Sequence, residues 1–482
     1  MRVRVHSTIH SGVQYARLSP DQCRQMHNAS LEILSRTGAR LHLKEAIDLL
    51  RSAGASVDDG NRVRIPAGLV ERALTTVPKR VSLYNRDGQA PLFLEEGNCY
   101  YGTGSDCLHI IDHRTGARRD PMLRDVVDGV TVCDALPNID FVMSMVLPKD
   151  VPTMVSDRYQ MEAMLDRTTK PIVFVTNEFS GCVDAVKMAE VVAGGAEALR
   201  RRPNICHYIN VTTGLQHNEE ALQKVLFLAE KGLPAIYVPV VVSSISGPET
   251  VAGSIALINA GTLVGLVLSQ LRREGAPFLI GGWGAEGLDM RTAVNPYCSP
   301  DPKGYMHAMG KHYRLPVFGM GGCSESKVVD QQASAEAALM LMIETLGGAN
   351  LIHDMGYLES GLCYSLAELV ICDEIVGWIK HALAPVEINE ETLALDLIDE
   401  IGPDGQFLDT DHTLRHCRER WHPRLWDRGD HEQWEAAGGK ALGEVAAARV
   451  QRILDEHEPE PLPEETRRAL REIVLQAEKQ LA

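Results

Sequence analysis

The sequence predicts an α/β fold, a (β/α)8 TIM barrel with a helical extension at each end. Two features support this prediction: eight short apolar runs alternate with helical patterns, and glycines with polar residues follow several of those runs. Strands that alternate with helices in this way are typical of parallel βαβ units. Eight such units favour closure into a barrel, which displays its functional groups where the strands end.

The strand-like runs are spaced almost evenly through the middle of the chain. Successive runs begin 30 to 43 residues apart, at Tyr100, Phe141, Pro171, Asn204, Pro234, Pro277, Pro316 and Asn350. Each interval holds a helical pattern, such as residues 252–271 and 332–346. An open, doubly wound sheet is the alternative, but neither GxGxxG nor GxxxxGKS/T follows the first run, which weakens its nucleotide-binding version.

Three zones divide the chain. Residues 1–97 are predicted to form an N-terminal helical extension, with Ser19 and Pro20 as a helix start signal and Gly38 as a stop signal. Residues 98–381 contain the eight strand-like runs and are predicted to form the barrel. Residues 382–482 return to charged helical patterns, so a C-terminal helical extension is expected there.

The composition restricts the class of protein. With 48 basic and 65 acidic residues the formal net charge is −17, and no basic block occurs. This balance argues against nucleic-acid binding and suits a soluble protein with a cationic or neutral ligand. Eleven cysteines without a CxxC pair suit a reducing cytoplasm better than a disulfide framework. No stretch of about 18 uninterrupted apolar residues occurs, so no membrane segment is expected.

Common metal and hydrolase motifs are absent from the sequence. It contains neither an HxExxH pattern nor a GxSxG elbow. Cys206 and His207 are adjacent, so on a strand they face opposite ways and cannot share one metal ion. Cys323 and His353 follow neighbouring strands and are the remaining possibility. We therefore expect no metal site, and the sequence assigns no catalytic acid, base or nucleophile.

Several long segments carry a family resemblance. They include YGTGSDCLHIIDHRTGARR, GMGGCSESKVVDQQASAEAA, GGANLIHDMGYLESG and FLDTDHTLRHCRERWHPRLWDR. These segments resemble the trimethylamine methyltransferase family, whose members are corrinoid-dependent methyltransferases built on a (β/α)8 barrel. The resemblance runs nearly from end to end and keeps the order of the family's segments.

The resemblance implies a substrate class and a partner. Founding members demethylate trimethylamine and carry pyrrolysine in the barrel, whereas this chain has only the twenty standard residues. It is more similar to members without pyrrolysine, which demethylate quaternary amines such as glycine betaine. Those members pass the methyl group to Co(I) of a small corrinoid protein. Cobalamin is therefore expected on that partner, with no tightly bound cofactor on this chain, and a homo-oligomer is also expected.

A quaternary ammonium requires a particular kind of site. Co(I) that takes one of its methyl groups displaces a neutral tertiary amine, so no general acid is needed. Aromatic faces and a nearby carboxylate bind such a cation, with cation–π energies of roughly 0.5–2 kcal/mol each. The aromatic candidates at the predicted rim are Tyr101, Tyr208, Trp283 and Tyr357, with Asp106, Glu178 and Glu325 as countercharges. Of the aromatic residues, Trp283 and Tyr357 are favoured.

The carboxylate of a betaine would need hydrogen-bond donors at the other end of the site. His353 is the first candidate because it follows the eighth strand, and Arg291 and Lys327 are the others. Arg291 has an alternative role, which is to pair with Asp289 and brace its loop. Gln331 opens a helix after the Gly-rich loop, where its amide either points into the site or caps the helix.

The sequence thus predicts a cytoplasmic enzyme that moves a methyl group from a quaternary amine to a corrinoid protein. Two alternatives remain. One is a different methyl donor, such as a tertiary methylamine, and the other is a barrel that binds a betaine without turnover. Formation of methyl-Co(III) would separate an enzyme from a binding protein.

Overall fold

Eight parallel strands form a closed barrel at the centre of the computed structural model, which describes residues 15–282 and 284–481. In chain order they are β1 (Tyr100–Tyr101), β2 (residues 141–142), β3 (Ile172–Phe174), β4 (Ile205–Val211), β5 (Ala235–Pro239), β6 (Phe278–Gly281), β7 (Val317–Met320) and β8 (Leu351–His353). Each strand lies within one of the eight predicted runs. The predicted barrel is therefore confirmed.

The strand β2 closes the barrel with less pairing than its neighbours make. Gly102 bridges to Phe141 and Val142 bridges to Ile172, both in parallel. The N–H of Val173 donates to the carbonyl of Val142 at 3.0 Å. These contacts join β1 to β3 through β2, whereas continuous ladders join the strands from β3 round to β8 and β1.

Alternate strand residues fill the interior of the barrel. They are Tyr100, Phe141, Met143, Val173, Cys206, Tyr208, Ile236, Val238, Leu279, Phe318 and Leu351. Because successive strand residues face opposite sides, their neighbours point outward to the helices. This alternation leaves room for polar groups only where the strands end.

A hairpin fills the N-terminal end of the barrel. Its strands, Val81–Leu83 and Leu92–Leu94, pair antiparallel and extend the apolar cluster of the interior. The N–H of Tyr84 donates to the carbonyl of Pro203, directly before β4, at 2.8 Å. A ligand therefore reaches the barrel from the carboxyl ends of the strands, as barrel enzymes require.

Helices surround the barrel and continue into both extensions. They are α1 (Pro20–Glu32), α2 (Lys44–Ser52), α3 (Ala67–Thr76), α4 (Leu123–Ala135), α5 (Ser156–Arg167), α6 (Phe179–Ala193), α7 (Ala196–Arg201), α8 (Glu219–Lys231), α9 (Val251–Arg272), α10 (Tyr305–Tyr313), α11 (Gln331–Gly347), α12 (Leu366–Ala382), α13 (Glu390–Leu393), α14 (Leu395–Ile401), α15 (Asp411–His416), α16 (His431–Ala436), α17 (Leu442–Glu456) and α18 (Glu464–Leu481). Short strands outside the barrel are Ala39–Leu41, Ser56–Asp58, Arg62–Arg64, His109–Ile111, Arg118–Arg119, Gln216–His217, Tyr357–Leu358 and Cys363–Ser365.

The helix α9 is the one helix in the described part of the chain that is long and apolar enough to cross a membrane. Most of its surface is buried, because it packs against α1, α3 and α8. Its buried Asn259 donates to the hydroxyl of Tyr313 at 2.8 Å. These contacts identify α9 as a core helix of the fold.

The two extensions are more than two separate sets of helices. The N-terminal one combines α1–α3 with a small sheet in which Ala39–Leu41 pairs with Arg62–Arg64 and with Gln216–His217. The C-terminal one returns to the barrel, since α17 packs against α12 and α18 packs against α6. We propose residues 98 and 381 as the barrel limits, because the hairpin precedes the first and α12 ends at Ala382, one residue after the second.

Candidate functional site

Three tyrosines and two carboxyl groups gather at the carboxyl ends of the barrel strands. Tyr208 lies on β4 and faces the barrel interior. Tyr357 follows β8, and Tyr297 lies in the connection between β6 and α10. The charge of Asp354 contributes to a raised pKa of all three tyrosines, after burial as the main cause. Asp106 contributes in the same way for Tyr208 and Tyr357. We call these five residues the rim cluster.

A glycine allows the rim cluster to pack closely. Gly104 lies in the turn that follows β1, and a methyl group at its Cα would sit 2.1 Å from Asp354 Oδ1 and 2.3 Å from the hydroxyl of Tyr357. The hydroxyl of Tyr357 donates to the carbonyl of Ser105 on the same turn. The turn after β1 thus fixes the position of two members of the cluster.

Both carboxyl groups are held where ionisation is unfavourable. Burial raises the pKa of Asp106 to about 6, although the hydroxyl of Ser105 donates to it at 3.0 Å. Burial raises the pKa of Asp354 well above its ordinary value, and the charge of Lys303 opposes that rise. A cation placed between them would favour their ionised forms.

His353 is neutral, and its ring already interacts with other residues of the protein. Its ring stacks on Phe318 with centroids 4.0 Å apart, and its Nδ1 lies 2.6 Å from the carbonyl of Gly319. A carbonyl only accepts, so Nδ1 carries the proton and Nε2, 3.4 Å from Asp354 Oδ1, does not. Burial lowers the pKa of His353 to about 3. The expected cationic donor to a substrate carboxylate is therefore not available here.

A buried ion pair lies behind the rim cluster. Lys303 Nζ is 3.0 Å from Glu286 Oε1, and both side chains are at most 3% exposed. Burial lowers the pKa of Lys303, but Glu286, together with Cys323 and Glu344, holds it above the ordinary value. Lys303 therefore stays charged beside Asp354. Neither residue was predicted from the sequence, although residues 282–304 form a long connection of the kind that often carries function.

Comparison with known proteins decides the family. A family model described as trimethylamine methyltransferase (MTTB) matches residues 2–482. The chain belongs to the trimethylamine methyltransferase family. The trimethylamine methyltransferase MttB of Desulfitobacterium hafniense is 32% identical over 486 residues, covering 98% of each chain. The glycine betaine methyltransferase of the same species is 28% identical, covering 97% of this chain and 98% of the relative.

Solved structures support the fold of this methyltransferase family member. The Methanosarcina barkeri monomethylamine methyltransferase (MtmB) aligns with a TM-score of 0.53 and 12% identity, covering 94% of this chain and 90% of that one. A hydroxylamine complex of MtmB aligns with a TM-score of 0.52 and 13% identity, covering 95% and 89%. The chain is thus a methyltransferase with a barrel of the same kind.

Three residues predicted for the site of the methyltransferase lie in the rim cluster: Asp106, Tyr208 and Tyr357. The ring of Tyr208 lies 5.9 Å from that of His353 and 5.1 Å from that of Phe318. Tyr297 and Asp354 complete the cluster but were not proposed as ligands. The sequence does contain a signal for both other tyrosines of the cluster. Tyr208 lies in a predicted strand, and Tyr297 lies in the long connection between β6 and α10.

Other predicted residues lie elsewhere. Tyr101 points out of the barrel, where its hydroxyl lies 2.8 Å from Thr345 Oγ1 on α11. Arg291 is exposed and pairs with Asp289 at 2.8 Å, which is the loop-bracing alternative. Trp283, one of the two favoured aromatic residues, lies outside the described residues.

The loop after β7 uses its polar residues to hold itself together. Glu325 accepts from the N–H of Cys298 at 3.1 Å, and the exposed Lys327 donates to the carbonyl of Glu325 at 2.6 Å. Gln331 is the exposed first residue of α11, which Asp330 caps. These three predicted ligands therefore shape the rim and lie outside the rim cluster.

The described residues contain one group of side chains close enough together to hold a metal ion. It comprises Glu391, His412 and His416 in the C-terminal extension. Cys323 is instead next to Cys298, with the two sulfurs 3.8 Å apart. Cys323 and His353, the remaining possibility for a metal site in the sequence, are therefore not part of such a group.

Proposed function

We propose that this enzyme removes one methyl group from a quaternary amine, glycine betaine or a related betaine, and loads it onto Co(I) of a cognate corrinoid protein. The observation that carries the proposal is the rim cluster. It places three aromatic rings and two carboxyl groups, one half-buried (Asp106) and one buried (Asp354), at the carboxyl ends of the barrel strands, a combination that suits a cation without N–H donors. The name of one relative, a glycine betaine methyltransferase, supports the same substrate class.

The chemistry of the reaction matches the residues that are present. The corrinoid of the partner supplies the nucleophile, Co(I), and the methyl group leaves a nitrogen that becomes a neutral tertiary amine. That leaving group needs no proton, and neutral His353 offers none. The work of this chain is to bind the cation, orient one methyl group toward the open rim and exclude water.

The carboxylate end of a betaine needs donors that the protein does not already use. Among the described residues, the hydroxyls of Tyr208 and Tyr297 donate to no other group, whereas that of Tyr357 donates to Ser105. Burial raises the pKa of Tyr208 well above its ordinary value, so its hydroxyl keeps its proton. We therefore propose the hydroxyls of Tyr208 and Tyr297, and not His353, as the donors to the substrate carboxylate.

A methyl-transfer assay tests the proposal. The enzyme is mixed with free cob(I)alamin, as a substitute for the corrinoid protein, and with glycine betaine, tetramethylammonium or trimethylamine. We expect the absorbance of Co(I) to be replaced by that of methyl-Co(III) with at least one quaternary amine and not with trimethylamine. Faster transfer from trimethylamine than from every quaternary amine would overturn the proposal.

Changing Tyr208 to phenylalanine should separate the two ends of the substrate. The variant keeps the aromatic face and loses one hydrogen bond of about 1 kcal/mol, so glycine betaine should bind roughly fivefold more weakly. Tetramethylammonium has no carboxylate and should bind as before. Calorimetry with both ligands measures this, and equal weakening of the two would show that the hydroxyl does not serve the carboxylate.

Binding of the cation should depend on pH through Asp106. Its pKa is about 6 in the free protein, so it is protonated below that pH and ionised above it. Because only the carboxylate attracts a cation, the affinity for tetramethylammonium should rise by about tenfold from pH 5 to pH 7. The Asp106→Asn variant should show a flatter profile, to which only Asp354 still contributes. A wild-type profile as flat as that of the variant would remove Asp106 from the site.

A cytoplasmic location is proposed on the state of the cysteines. All eleven are free thiols, ten of them at least partly buried. Thiols in this number persist in a reducing compartment, which also suits Co(I) chemistry.

A further inference from the structure

Two cysteine side chains meet at the edge of the rim cluster. Cys298 follows Tyr297 in the connection between β6 and α10, and Cys323 lies in the loop after β7. Their sulfurs are 3.8 Å apart, and the thiol of Cys298 donates to the carbonyl of Cys323 at 3.1 Å. The two residues are 25 positions apart in the sequence, so it is the fold that brings their thiols into contact.

The backbone on each side of the thiol pair carries a tyrosine of the rim cluster. Cys323 forms a parallel bridge with Tyr357, and the N–H of Ser324 donates to the carbonyl of Tyr357 at 3.0 Å. On the other side, Cys298 is the direct neighbour of Tyr297. The thiol pair therefore joins the segment that carries Tyr297 to the segment that holds Tyr357.

The rings of these two tyrosines pack against the same turn. A methyl group at the Cα of Gly361 would lie 2.7 Å from the ring of Tyr297 and 3.2 Å from the ring of Tyr357. The N–H of Cys298 and the hydroxyl of the residue before Gly361 both donate to the carboxylate of Glu325. A shift of Cys298 is therefore passed on to both rings.

The two thiols differ in their access to solvent. Cys323 is completely buried, whereas Cys298 is half-buried and can be approached by a small oxidant. Of the other nine cysteines, eight are buried and Cys417 is exposed. Cys298 thus combines access with a second thiol in contact, which is the arrangement of a redox-sensitive cysteine beside its resolving cysteine.

We propose that Cys298 and Cys323 form a reversible disulfide in the presence of hydrogen peroxide, and that this bond weakens cation binding by the rim cluster. The sulfur of Cys298 attacks one oxygen of the peroxide and the O–O bond breaks. The other oxygen leaves as hydroxide and takes the thiol proton to become water, which leaves a sulfenic acid on Cys298. The sulfur of Cys323 then attacks that sulfur, the S–O bond breaks, and the thiol proton of Cys323 leaves with the hydroxide as a second water. Each sulfur loses one electron, and the peroxide gains both.

The new bond has to displace part of the rim. The sulfurs of a disulfide are about 2.05 Å apart, so the contact of 3.8 Å closes by roughly 1.8 Å. This movement draws the segment of Tyr297 toward the loop that holds Tyr357, and it misplaces at least one aromatic face. The effect on a bound cation rests on the proposed function, whereas the formation of the bond does not.

Peptide mapping tests the bond on the full-length chain. Protein purified without oxygen is treated with hydrogen peroxide, its remaining thiols are blocked with iodoacetamide, and it is digested. We expect a pair of peptides linked through Cys298 and Cys323 that dithiothreitol separates. Cys417→Ser is the matched control and should still form the link, because Cys417 is an exposed thiol outside the pair. Blocked thiols at both positions, or Cys298 oxidised to a sulfonic acid without a link, would overturn the proposal.

Calorimetry with tetramethylammonium tests the effect on the rim cluster. The oxidised wild type should bind about tenfold more weakly than the reduced one, because one cation–π contact is lost, and dithiothreitol should restore the affinity. The Cys298→Ser variant should bind equally well before and after peroxide. Unchanged binding by fully linked protein would contradict control of the rim cluster by the thiols. Reduced protein that does not bind tetramethylammonium would instead contradict the proposed function, and the peptide map then decides the disulfide alone.

Discussion

The Gly104→Ala enzyme is expected to lose about 99% of its methyl-transfer rate while its barrel stays folded, since misplacing reacting groups by about 1 Å costs roughly a hundredfold. The new methyl group would lie 2.1 Å from Asp354 Oδ1 and 2.3 Å from the hydroxyl of Tyr357. Both groups are buried, so they can only separate by moving the turns after β1 and β8. The measurement is the rate of methyl-Co(III) formation with glycine betaine and free cob(I)alamin.

Gly68→Ala is the matched control for this variant. Gly68 lies in α3, and a methyl group there would meet nothing within 4 Å. Its rate should equal that of the wild type. Thermal unfolding should place the Gly104→Ala variant only about 1–3 kcal/mol below the wild type, the usual cost of overpacking. Full activity of Gly104→Ala would mean that Asp354 and Tyr357 do not position the substrate.

Replacing Lys303 with methionine should produce the largest loss of stability. The change leaves Glu286 buried and charged without its partner, for which about 3–5 kcal/mol is typical. Denaturant unfolding measures this loss. The control is Lys44→Met, which removes an exposed pair with Asp48 and should leave the midpoint nearly unchanged.

A double variant tests whether the charge of Glu286 is the cause. Lys303→Met combined with Glu286→Gln removes both charges, so it should recover most of the stability that Lys303→Met loses. If the double variant is as unstable as the single one, the loss comes from packing around the lysine stem. The single variant should also bind tetramethylammonium differently, because Lys303 opposes the high pKa of Asp354.

The barrel was predictable because its strands are continuous apolar runs between helical patterns. Even β2, which pairs through single bridges, has the buried run that begins at Phe141. The N-terminal extension was predicted as helical, and its short strands were missed. A strand such as Ala39–Leu41 has only three residues, and its partner Gln216–His217 is distant in the sequence, so no local pattern indicates the pairing.

The site was predictable in part, for reasons that differ from residue to residue. Tyr357 follows from its position after β8, and Tyr208 from its position within the predicted strand β4. Tyr101 was misleading because Tyr100 and Tyr101 are adjacent and apolar, so alternation alone does not say which one faces the interior. His353 was placed correctly, but its charge depends on burial that the sequence does not specify. The role of Lys303 could not be predicted from the sequence, because it depends on the buried ion pair that Lys303 forms with Glu286 in the folded connection.

The hairpin of Val81–Leu83 and Leu92–Leu94 has a consequence for the order of events in catalysis. It makes the barrel a blind-ended tube, so substrate and product pass through the same opening that the proposed corrinoid partner has to cover. The amine must then enter first, and the demethylated product must wait until the partner has left. Steady-state kinetics should accordingly show a compulsory-order ternary complex, with the demethylated amine competing directly against the substrate.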